Sequence, residues 1–100
     1  MTLTLSKFLS ETSETITLTY SSEWSDEDIP IMAQNFLENI AESKMVESTL
    51  GADRAYFRFD WKDYPFILHY EIYSQSCWIE AEGLIESFIV EAFYQIIPAT

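Results

Sequence analysis

A single cysteine, Cys77, rules out an internal disulfide, and one cysteine with one histidine falls short of the common structural zinc sets. A reducing compartment fits such a chain. Only two glycines and three prolines stand in 100 residues, which argues against disorder and against a low-complexity array. There is no Gly-rich phosphate loop, no G-x-S-x-G and no H-E-x-x-H. Cations are equally scarce, with five Lys and Arg against 17 Asp and Glu and a net charge of −12. That imbalance disfavours phosphate backbones and anionic lipid as direct partners and makes a basic protein a better guess. No apolar run approaches the ~18 residues of a membrane span, and MTLTLSKFLSETSE lacks the basic and then apolar order of a secretory signal. The expectation is a cytoplasmic protein with no cofactor and no bound metal.

What is present is an ordinary globular composition, 48% hydrophobic with sixteen aromatic residues. One hundred residues make one domain, 1–100, able to bury about two thirds of the surface its unfolded chain would expose. The stretch from Ala55 to Glu82 holds nine of the aromatics and alternates apolar with polar side chains, the period of half-buried strands. Three strands are predicted there, over 55–61, 66–73 and 77–82, with Lys62 to Pro65 joining the first two. Ala55, Phe57, Phe59, Trp61, Phe66, Leu68, Tyr70, Ile72, Cys77, Ile79 and Ala81 form the core face.

Before this stretch, Ile16, Leu18 and Tyr20 alternate with threonines and predict a strand over 14–21. Residues 1–13 are weakly patterned, because KFL breaks the alternation of Leu3 and Leu5, and they read as a loose arm or an edge strand. Ser25 and Asp28 form a variant capping box, and Ile29, Met32, Ala33, Phe36, Leu37, Ile40 and Ala41 then make one helical stripe. A strand over 44–50 follows, and Gly51 opens a turn where it can supply a positive φ. After Gly83 a second helix is predicted over 84–97, well buried through Ile85, Phe88, Ile89, Ala92, Phe93, Ile96 and Ile97. The order β-α-β-β-β-β-α gives an α+β two-layer sandwich, a mostly antiparallel sheet of about five strands with both helices on one face.

Cross-strand partners must share a face, which restricts the turn before Cys77 to an even number of residues. A two-residue Ser74-Gln75 turn places His69 opposite Glu80 and is preferred, since a four-residue turn sets Glu71 against Glu80. On the face left open stand Tyr56, Arg58, His69, Tyr73 and Trp78, of residue types enriched at binding hot spots, among the carboxylates Glu71, Glu80 and Glu82. These five are the candidate binding residues; no catalytic set is assigned. The expected role is protein interaction or assembly, with a basic protein or a second copy of the chain as partner. The alternatives are a small metal-dependent or acid-base enzyme at His69, Glu71 and Glu80, and an acidic mimic of nucleic acid. A Cys and His nucleophile pair is excluded, because Cys77 points inward and His69 outward.

The segments GADRAYFRFDW and YEIYSQSCWIEAEG carry an acid-x-Tyr-Ser element followed by Ser-Cys-Trp-x-Glu, here Glu71, Tyr73, Ser74, Ser76, Cys77, Trp78 and Glu80. In these the chain resembles a small family of uncharacterised bacterial proteins, a domain of unknown function. The resemblance implies a bacterial cytoplasmic protein and brings no activity, cofactor or catalytic residue with it.

Overall fold

Alternating side chains settle into six strands and two helices in the computed structural model, which describes residues 5–98. In chain order these are β1 (Leu5–Leu9), β2 (Thr15–Tyr20), α1 (Ile29–Glu38), β3 (Ser43–Leu50), β4 (Arg54–Trp61), β5 (Tyr64–Glu71), β6 (Ser76–Ala81) and α2 (Ser87–Ile96). The class is α+β. All six strands join one antiparallel sheet in the order β1-β2-β6-β5-β4-β3.

The expected five strands become six because residues 5–9 pair with β2, from Leu5↔Tyr20 to Leu9↔Ile16. Residues 1–4, with Leu3, lie outside the described residues. The broken alternation at KFL has a physical cause. Lys7 occupies a position on the helix side, where its Nζ donates to the Tyr94 carbonyl at 2.7 Å and lies 4.5 Å from the centre of the Tyr94 ring. Ser10 closes the turn, its hydroxyl oxygen accepting from the Glu14 and Thr15 amides at 3.1 Å each.

One core cluster joins Ile16, Leu18, Phe57, Phe59, Phe66 and Leu68 of the sheet to Met32, Ala33, Phe36 and Leu37 of α1 and to Val90 and Phe93 of α2. Burying a large apolar side chain stabilises by about 1.5–3 kcal/mol, so this face holds most of the folding free energy. Helix α1 begins at Ile29, with no side-chain cap bond from Asp28 at its N-cap; the Ser25–Asp28 pair closes the turn before it, where the Asp28 carboxylate accepts from the Ser25 amide at 2.8 Å. Its predicted stripe is buried as far as Ile40, just past the helix end, while Ala41 faces water.

Helix α2 departs from expectation. Gly83 takes a φ of 83° and the helix starts at Ser87 instead of Leu84. Val90, Phe93 and Ile97 are buried; Leu84 is fully exposed, Phe88 is 62% exposed, and Ala92 and Ile96 also face water. So many of its positions are apolar that more than one stripe satisfies the helical period, and the one that packs is Val90-Phe93-Ile97.

Two turns also differ. Strands β4 and β5 are joined by Lys62 and Asp63 alone, with φ of 51° and 69°, the left-handed pair of a type I′ hairpin. Tyr64 and Pro65 therefore belong to the strand. Gly51 has no positive φ; a Cβ there would stand 3.0 Å from the Arg54 carbonyl oxygen, so its missing side chain serves a close approach.

Candidate functional site

Side chains that alternate away from the core form the opposite face of the sheet. The register strings Phe8, Thr17, Trp78, His69, Tyr56 and Thr49 into one row across all six strands. The His69 ring stacks on Trp78 with centroids 4.7 Å apart and planes 9° from parallel, and Tyr56 lies 6.3 Å beyond it at 45°. Tyr56, His69 and Trp78 are half-buried by one another, while Phe8 at the end of the row is 64% exposed.

Ion pairs flank the row. Arg58 reaches Glu82 at 2.7 Å and Glu47 at 3.1 Å, and these hydrogen bonds raise its already high pKa further. Its Nε is buried without a hydrogen-bond partner. His69 Nε2–H donates to Glu80 at 2.9 Å, and Arg54 lies 3.8 Å from Glu71.

The structure thus brings four of the five expected residues together, Tyr56, Arg58, His69 and Trp78. The fifth is elsewhere. Strand β5 ends at Glu71, and Tyr73 projects from the turn at 84% exposure. The cause is the register, in which Glu71 faces Ser76 and His69 faces Trp78, so the turn spans 72–75 and neither register considered from the sequence is realised. His69 and Glu80 still meet, diagonally.

Gln75 holds this turn. At a φ of 53°, its amide donates to the Ile72 carbonyl at 3.1 Å. Its side chain accepts from the Trp24 amide at 2.9 Å and donates to the Trp24 carbonyl at 3.0 Å, as a neighbouring strand would. The Ser74 hydroxyl lies 3.2 Å from the Glu71 carboxylate and 2.7 Å from Ser76, so the Ser-x-Ser element braces the hairpin.

Beneath the sheet lies a polar cluster that the sequence reading missed. The Tyr20 and Tyr70 hydroxyls are 3.2 Å apart, and Tyr70 also hydrogen-bonds the Cys77 thiol. Burial pushes the pKa of all three upward, and a charge on Cys77 would raise both tyrosines further. A buried neutral thiol is a poor nucleophile, and His69 lies across the sheet from it. The signal was available, since Tyr20, Tyr70 and Cys77 all fall in phase with the core residues of their strands.

Of the trio considered for enzyme chemistry, Glu71 is engaged by Arg54 and Ser74, apart from His69 and Glu80. Among the described residues no group of three or more His, Cys, Asp or Glu could hold a metal ion. A cleft of about 590 Å³ opens beside α1, lined by Tyr20, Glu23, Asp28, Ile31, Met32 and Asn35 among others; among the described residues its lining includes two carboxylates and no cation. Among the described residues no helix is long and apolar enough to cross a membrane.

Compared with known proteins, residues 5–95 match the model of a family described as "Protein of unknown function (DUF3630)". No curated protein and no solved structure matches the chain.

Proposed function

The chain belongs to the DUF3630 family, whose description gives no activity, and from that premise we propose a protein-interaction or assembly module that works through the open face of its sheet. The observation that carries this reading is the row Trp78-His69-Tyr56, continued to the exposed Phe8, on the face opposite the helices. Trp, Tyr and Arg at the centre of a surface are the residues that carry most binding free energy where proteins meet. A reducing, cytoplasmic setting suits the reading, since Cys77 is a free thiol.

Acid-base chemistry at His69 is the second reading, favoured by its 2.9 Å contact with Glu80. It lacks a third group, because Glu71 is turned to Arg54 and Ser74.

A photo-reactive residue placed at Thr17, exposed in the row between Phe8 and Trp78, tests the interaction reading. In extract of the native cells it is expected to form a covalent adduct with a polypeptide, lost when Tyr56 and Trp78 are both replaced by Ser. Reaction with water alone would sink the proposal.

A further inference from the structure

On the reading of the open face as an interaction surface, we infer that its occupant is a second copy of this chain, the two sheets stacking face to face about a two-fold axis lying between them. The distribution of charge is the first argument. Lys44, Arg54 and Arg58, three of the five cations, stand on this face with five of the 17 carboxylates, Glu47, Asp60, Glu71, Glu80 and Glu82. Its formal charge is −2, and the rest of the chain carries −10.

The carboxylates of the face are, moreover, mostly in use. Glu47 and Glu82 are held by Arg58, Glu80 by His69 and Glu71 by Arg54, while Asp60 stands directly across from Lys44. A basic partner would find few free carboxylates here and more elsewhere, on the helix side and in the turns at the ends of the sheet. Two copies, each repelled by the other's acidic back, meet with least like-charge cost through this nearly balanced face.

Size and composition agree with that occupant. Six strands about 4.8 Å apart, with about six residues each at about 3.3 Å, give a flat footprint on the order of 600 Å². Side-chain relief brings this close to the ~800 Å² per partner of a standard interface. A two-fold contact uses the same patch twice, and His69 and Trp78 sit on the two central strands, β5 and β6, where a self-complementary contact is centred. Phe8 at the edge of the row would be covered by the other copy, with the sheets about 10 Å apart.

The test is solution mass by light scattering across a hundredfold dilution, at low and high salt. The expected result is a species of about 23 kDa, twice the 11.7 kDa of one chain. Its dissociation constant should fall as salt rises, because screening relieves repulsion between the acidic backs, whereas a complex with a basic partner weakens with salt. Thr17→Glu places a charge in the row at an exposed position and is expected to raise the dissociation constant at least tenfold with an unchanged circular dichroism spectrum. Phe88→Glu, on the exposed row of α2, should leave it unchanged. A monomer under all conditions overturns the inference, as does a dimer broken by Phe88→Glu and not by Thr17→Glu. If the protein is monomeric while the Thr17 photo-adduct contains a different polypeptide, only self-assembly falls; with no adduct, the interaction reading falls with it.

Discussion

On the two faces of the same sheet, aromatic side chains are packed in different ways. Under the helices, Phe93 is fully buried with its ring centre 4.8 Å from Phe66, 5.2 Å from Trp61 and 5.7 Å from Phe59, enclosed from both layers. On the open side, His69 is held between Trp78 and Tyr56 along the sheet and, among the described residues, has no layer above it. Enclosure from two layers removes nearly all contact with water, so the helix side supplies stability. Sideways contact leaves apolar surface unsatisfied, so the open side retains free energy that a second molecule can use.

The largest effect should come from breaking the enclosed face. Phe93→Ala removes the ring on which three others converge and is expected to cost about 3–5 kcal/mol, read as a lowered urea midpoint. A loss below 1 kcal/mol would mean that α2 does not close the core.

Next in size is an alkaline effect confined to the same side. Cys77, Tyr20 and Tyr70 all keep their protons longer in the folded chain than in the unfolded one. Above about pH 8.5 for the thiol and about pH 10 for the phenols, the unfolded chain releases protons that the folded chain retains. The native state then binds more protons, so stability falls as pH rises, by up to about 1.4 kcal/mol per pH unit for each group. A fall of about 2–4 kcal/mol between pH 9 and pH 10.5 is expected in urea titrations. Tyr20→Phe removes one of the three groups and should make the fall shallower by roughly a quarter.

Trp78→Ser probes the open face. Half of a large side chain's burial and one ring stack are lost, about 1–2 kcal/mol, clearly less than at Phe93. Its main effect should be on association, with loss of the Thr17 adduct and of the dimer by light scattering. If stability instead falls as far as in Phe93→Ala, the open face is as structural as the covered one and the contrast fails.

The two faces were legible in the sequence to different depths. Alternation fixes which side of the sheet a residue occupies, and it placed Phe57, Phe59, Phe66, Leu68 and Ile79 in the core and Tyr56, Arg58, His69 and Trp78 opposite. Parity survives a register shift of two, so these assignments held although the hairpin before Cys77 did not. What parity cannot supply is the length of a turn, which here depends on Gln75 bonding Trp24, a residue 51 positions away. Strand β1 was obscured in the same way, because Lys7 stands where an apolar residue belongs and is satisfied by the distant Tyr94 carbonyl.

The smallest expected effect concerns Tyr73, which the sequence pattern sets beside Trp78 and the structure sets in the turn. At 84% exposure its ring adds little to the core, and Tyr73→Ser should change stability by no more than about 0.5 kcal/mol. It should also leave the solution mass and the Thr17 adduct as they are, because the row ends at other residues: Phe8 on one side and Thr49 on the other. Had the two-residue turn been the true register, Tyr73 would stand in a strand beside the row, and its loss would weaken association together with Trp78. Comparing the two Ser variants in one light-scattering series therefore reads the hairpin register and the extent of the binding face at once. Equal loss from both would move the surface toward the turn; loss from Trp78→Ser alone keeps it on the strands.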